Sequence, residues 1–190
     1  MRMTIMKNVH LGDEGFTYIM YGEKIAKEDL LMDLMGDIDE LNSFIGLARS
    51  MIKNSDLVKK HHEIDEILKY IQELLFRVGR DLAIPIDKLK DPMTDEKDLK
   101  KIEEKIEEIW SKIPEPKFVF VYPTGSISSS ILHIARAICR RAERKASKLY
   151  HENRIHKIYL IILNRLSDLL YVLARYVNVL EGVNEEIWSR

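Results

Sequence analysis

Between Leu31 and Leu180 apolar residues return every three or four positions, in five runs broken by polar or proline-bearing stretches. A period near 3.6 places such residues on one face of a helix, and that face must be covered by another element. The first run carries Leu34, Ile38, Leu41, Ile45, Ala48 and Ile52. Its opposite face reads as Asp33, Asp37 and Glu40, with Asp39 and Asn42 beside the apolar stripe. The second, over about 63–82, runs from Ile64 through Leu68, Ile71 and Leu75 to Leu82, and Pro85 ends it. The third, about 95–112, is strongly charged around Leu99, Ile102, Ile106 and Ile109, and Pro114 and Pro116 close it. The fourth opens near Ser126–Ser128, whose hydroxyls suit an N-cap. Its stripe is Ile131, Ala135, Ile138, Ala142, Ala146 and Leu149, small enough to let a neighbour approach closely. The fifth follows a link at 152–154 and stops at Gly182, a natural helix terminator. The expectation is an all-α, five-helix up-and-down bundle of ferritin-like appearance over 31–182, within one domain spanning 1–190.

Two stretches fall outside this pattern. In residues 1–30 the turn signals Gly12–Gly15 and Tyr21-Gly22 bracket an extendable Phe16–Met20, which predicts an irregular loop or short hairpin lying on the bundle. Phe118–Tyr122 is β-branched and aromatic and is stopped by Pro123, which predicts a short extended segment. With no partner strand in view, it reads as a buried rib across the helices.

The totals narrow the function classes. With 30 basic and 31 acidic residues the chain has a net charge of −1, unlike a protein that coats nucleic acid. The single Cys139 precludes an internal disulfide and suits a reducing compartment. No apolar run approaches the roughly 18 residues of a spanning helix. The N-terminus MRMTIMKNVH lacks a signal-peptide core. A soluble, cytoplasmic protein is expected, bound to neither membrane nor nucleic acid.

The chemistry concentrates in His133–Arg144, HIARAICRRAER. Arg136, Arg140 and Arg144 stand one helical turn apart, and like charges at that spacing oppose the helix by roughly 0.2–0.5 kcal/mol per pair. Such a row wants a partner, either acidic side chains or a polyanion. Surface salt bridges are the ordinary outcome. The alanines around the row argue for tight packing, and partly desolvated guanidinium forks suit phosphates. Leu11–Thr17 (LGDEGFT), followed by Lys27, offers turn N–H groups, a hydroxyl and an ammonium, the parts of a phosphate cradle, although most such turns are only turns. Asn164 and Asp168 of NRLSD sit near a buried face, where either a bridge to the fourth helix or a ligand would satisfy them. Asp39 reads as a surface carboxylate or as a partner for an arginine. The six histidines form no recognisable metal motif, and Cys139 reads as packing.

Together these motifs resemble the PduO-type ATP:cob(I)alamin adenosyltransferases. The matching stretches are GDEGFT with YGEKIAKED at Tyr21–Asp29, GDIDELNSFIGLAR at Gly36–Arg49, IQELLFRVGRDLAIP at Ile71–Pro85, FVFVYPTGS, LHIARAICRRAER and NRLSDLLYVLAR. The resemblance implies a homotrimer with active sites between subunits. It implies transfer of the 5′-deoxyadenosyl group of ATP to the cobalt of cob(I)alamin or a related reduced corrinoid, with Mg2+ accompanying the ATP and triphosphate leaving. By the same resemblance Gly12, Thr17 and Lys27 hold ATP, as do Arg140, Arg141, Glu143, Arg144 and Asn164. Asp39 and Arg136 form a salt bridge between subunits, and Phe120 lies on the corrinoid side, where it displaces the lower axial ligand. Arg140 and Phe120 are the residues closest to the chemistry. A corrinoid reductase and an adenosylcobalamin-dependent enzyme would be further partners. The chain departs from the family pattern at Val9-His10-Leu11-Gly12, where Thr-Lys-Thr-Gly is usual, and at Pro123-Thr124-Gly125, where Pro-Gly-Gly is usual. An ATP-binding regulator of the same fold without catalysis is the alternative, ahead of an RNA-binding module or a purely structural bundle.

Overall fold

The computed structural model describes residues 12–53 and 58–189, and the side chains of 58–61 are left aside. Five helices carry the fold: α1 (Leu30–Lys53), α2 (Val58–Leu82), α3 (Glu96–Lys112), α4 (Ile127–His151) and α5 (Lys157–Glu181). The serine and glycine signals read from the sequence bound their helices as expected, and Asp95 adds a cap at α3. Asp95 accepts from Lys97 and Asp98 N–H groups in a capping box at α3, and Ser126 Oγ accepts from Ser129 N–H at α4. Gly182 closes α5 in the left-handed conformation, at φ 68°. The second helix starts five residues before the expected Glu63.

Side-chain pairings fix the packing. α1 lies antiparallel to α2 through Arg49–Asp65 and Gln72–Asn42, and antiparallel to α4 through Lys145–Asp33 and Arg141–Asp37. α4 packs on α5, with Ala135, Ala142 and Ala146 fully buried at its seams. α3 runs parallel to α5 on the far side, tied by Arg165–Glu103. It is joined to α2 by Arg77, whose fork grips Asp98 at 2.6 and 2.7 Å. The spatial order is therefore α2, α1, α4, α5, α3. One apolar core runs through all five, from Leu34 and Leu41 to Leu170 and Val177.

The N-terminal region forms the expected hairpin, β1 (Phe16–Tyr18) antiparallel to β2 (Lys24–Ala26). It is fastened to the bundle by Met20 N–H to the Ala83 carbonyl and by Arg154 to Asp29 at 2.7 Å.

Two expectations are corrected. Asp37 does not lie on the solvent side of α1. It is 6% exposed and faces α4, where Arg141 and Lys145 hold it at 3.0 Å each. The aromatic segment is not a buried rib either, since Phe118 is 90% and Phe120 78% exposed. Its partner is the C-terminal tail, which is remote in sequence. Val121 bridges Ile187, Tyr122 N–H donates to the Glu186 carbonyl, and Trp188 N–H donates to the Phe120 carbonyl.

Candidate active site

Because α4 is covered by α1 on one side and α5 on the other, its four arginines point to different surroundings. Arg141 turns to α1, where Asp37 and Glu40 neutralise it. Arg136, Arg140 and Arg144 form the remaining row, and none of them has a carboxylate partner among the described residues. Arg136 is half-buried, its guanidinium 5.9 Å from the Tyr171 ring, and its buried Nε has no acceptor among the described residues. Burial and the neighbouring Arg140 both push the pKa of Arg136 downward. An unpaired, partly desolvated cation of this kind favours an incoming anion.

The row borders two hollows. The larger, about 560 Å³, lies between the aromatic segment, α4 and α5. Phe118, Phe120 and Val121 line it from the segment, His133, Arg136 and Arg140 from α4, and Asp168 and Tyr171 from α5. It thus brings together Phe120, Arg136 and Arg140, which the sequence placed about twenty residues apart. The smaller groove, about 410 Å³, is lined by Glu143, Arg144, Ser147, Asn164 and Arg165. There Asn164 Nδ2 donates to Glu143 Oε1 at 2.9 Å, and Arg165 donates to Asn164 Oδ1 at 2.8 Å. Of the polar pair in NRLSD, Asn164 therefore makes the bridge to α4 and is held in one orientation beside Arg144, while Asp168 lines the larger hollow.

His133 lines the larger hollow and was not singled out among the sequence candidates. It is 5% exposed, both ring nitrogens lack hydrogen-bond partners among the described residues, and the ring stands edge-on to Tyr171. Burial, reinforced by Arg136, lowers its pKa to about 4, so the ring is neutral at pH 7. Cys139 is fully buried with its thiol on the Leu163 carbonyl, and burial pushes its pKa up, which suits packing rather than nucleophilic attack.

The N-terminal residues are together but elsewhere. Gly12 lies against the Lys27 ammonium, where a Cβ would sit 2.7 Å from Nζ, and Thr17 is on the same hairpin, paired with Ile25. None of the three lines either hollow. Val9, His10 and Leu11 lie outside the described residues. Asp39 is exposed on α1 and has no side-chain partner among the described residues. No group of three or more His, Cys, Asp or Glu residues suited to a metal ion occurs among the described residues. Nor is any helix among them long and apolar enough to cross a membrane.

Known proteins are similar to this chain along most of its length. The family model for cobalamin adenosyltransferase matches residues 8–177. A corrinoid adenosyltransferase of Bacillus subtilis is 38% identical over 179 residues, covering 94% of this chain and 90% of that protein. One from Mus musculus is 36% identical over 184 residues, covering 94% and 75%. Among solved structures, a phenylalanine-to-histidine variant of a PduO-type ATP:corrinoid adenosyltransferase from Lactobacillus reuteri, complexed with cobalamin and ATP, superposes with a TM-score of 0.86 at 35% identity, covering 98% of this chain and 97% of that one. A phenylalanine-to-alanine variant of the same enzyme, also complexed with cobalamin and ATP, gives 0.84 at 34%, covering 94% and 97%. Family model, relatives and structures agree along nearly the full length, and the chain belongs to the PduO-type cobalamin adenosyltransferase family.

Proposed function

We propose that this chain transfers the 5′-deoxyadenosyl group of ATP to the cobalt of a reduced corrinoid, releasing triphosphate. The observation that carries the reading is the pair Arg136 and Arg140, without a salt bridge among the described residues, at a hollow that also holds Phe120, with Arg144 in the adjoining groove. In the reaction an electron pair on Co(I) forms the Co–C5′ bond. The C5′–O bond breaks, and its pair leaves on the triphosphate. No proton is transferred, and the site needs no general acid or base. What it must supply is fixed positive charge where the leaving group grows negative, and a rigid alignment of the two substrates.

Arg140 and Arg144 are assigned to the triphosphate, with Glu143 and Asn164 holding the floor of their groove. Phe120 is assigned to the corrinoid side, where an apolar ring in place of an axial donor favours reduction to Co(I). Mg2+ would arrive on the phosphate oxygens, since it needs only one or two carboxylates and keeps its remaining positions for phosphate and water. Gly12, Thr17 and Lys27 sit on a hairpin away from both hollows. Asp39 and Arg136 each lack an ion-pair partner among the described residues. Both facts support a trimer in which Asp39 of one copy pairs with Arg136 of the next and the hairpin completes a neighbour's ATP site. Arg141 then serves the site indirectly, by locking α1 against α4.

The regulatory reading rests on the altered Val9-His10-Leu11 stretch. Phosphorus NMR separates the two. Incubation with ATP, Mg2+ and cob(I)alamin yields inorganic triphosphate on the catalytic reading. ATP bound but left intact is the outcome of the regulatory one, and release of ADP refutes both.

A further inference from the structure

α5 carries two polar side chains with no part in the assignments above. Arg175 and Asn178 are each 1% exposed and stand three residues apart, on neighbouring positions of one helix face. Both are spent on main chain of the same segment, at opposite ends. Arg175 donates to the carbonyls of Lys117 at 2.6 Å and Pro116 at 3.3 Å, and its fork grips Glu185 of the C-terminal tail at 2.7–3.0 Å. Its guanidinium also lies 5.5 Å from the Trp110 ring and 5.8 Å from the Tyr171 ring. Asn178 Oδ1 accepts from Ser126 N–H at 3.0 Å, and Nδ2 donates to the Thr124 carbonyl at 3.2 Å. Gly125, at φ 128°, lets the chain pass so close that any Cβ there would overlap the Asn178 amide.

The aromatic segment is therefore clamped by its backbone at 116–117 and at 124–126, while Phe120 between the clamps stands 78% exposed over the hollow. A buried guanidinium contributes little net stability compared with an apolar side chain of its size, because its desolvation offsets its bonds. What two buried clamps do supply is position.

We infer that Arg175 and Asn178 are positioning residues for the corrinoid half of the reaction, acting through the ring of Phe120. The inference rests on the proposed placement of Phe120. It predicts an effect confined to one substrate. Asn178→Asp keeps the acceptor for Ser126 N–H and removes the donor to Thr124, and Arg175→Lys keeps the charge and removes the fork. In the full chain each lowers kcat/KM for cob(I)alamin by about tenfold or more, since small misplacements at a reacting centre are costly, and leaves KM for ATP within about twofold. In a Phe120→Ala background neither substitution lowers it further, because residues that act through one group are not additive. Should either variant fail to fold, Gly125→Ala presses on Asn178 from the segment side with α5 intact, and the same split is expected. Equal shifts in both KM values, or full additivity with Phe120→Ala, overturn the inference while the site assignment stands. Wild-type cobalamin kinetics in Phe120→Ala alone show instead that Phe120 is misplaced, and the inference falls with it.

Discussion

At the scale of single residues, four arginines of one helix have separate fates decided by what lies opposite them. Arg141 meets Asp37 and Glu40, and its charge is used up in holding α1. Arg140 makes no salt bridge among the described residues and borders the hollow that holds Phe120 and Asp168. Replacing Arg140 by Ala removes charge from the leaving-group side without opening the core. Turnover is expected to fall by a factor of about 10² or more, the usual cost of losing one preorganised donor, with unchanged circular dichroism and sedimentation. His133 gives a prediction of a different kind. Its folded pKa of about 4 lies below the ordinary 6.5, so as the pH falls the unfolded chain takes up the proton first. Its neutral form therefore supports the fold fully above pH 6.5, and this contribution is lost between 6.5 and 4. The loss is on the order of 3 kcal/mol over the window. His133→Phe is expected to flatten the fall of melting temperature between those pH values. A variant that melts with the wild-type pH profile contradicts the assignment.

At the scale of elements, legibility follows locality. The five helices were readable because a 3.6 period, the serines at 126–128 and Gly182 are signals carried within each helix. The hairpin was readable from two glycine turns. The aromatic segment was recognised as extended and then misplaced, because what pairs with it is a tail that returns from the far end of the chain. Arg175 and Asn178 were missed for the same reason. Within LLYVLARYVNVL they look like two polar interruptions of an apolar run, and nothing local says that their partners sit more than fifty residues earlier. Asp37 was misassigned because α1 is covered on two sides, by α2 and by α4. A single apolar stripe per helix cannot express that. The polar row that faces α4 is matched to Arg141 and Lys145, not to water.

At the scale of the whole molecule, the helix order places α4 beside α1 and α5 with its arginine row at the edge of two hollows, while the hairpin stands apart from both. The candidate site is thus split within one chain. Its α4 and α5 parts were legible as motifs, and the gap between them and Lys27 was not, since sequence order carries no distance. Closing that gap is the task assigned to neighbouring copies. Asp39→Asn removes the carboxylate proposed to meet Arg136 of another subunit. It is expected to shift sedimentation toward smaller species or to cut turnover at least several-fold at equal protein concentration. Unchanged sedimentation together with unchanged kinetics would refute that pairing.

Adenosyl transfer from ATP to a reduced corrinoid at the α4 site is followed most directly by absorbance. The purified chain is mixed anaerobically with ATP, Mg2+ and chemically reduced cobalamin, beside the Arg140→Ala variant. The cob(I)alamin spectrum is expected to give way to that of light-sensitive adenosylcobalamin with the wild-type chain and to persist with the variant. Persistence of the cob(I)alamin spectrum with the wild-type chain, or equal conversion by both, would contradict it.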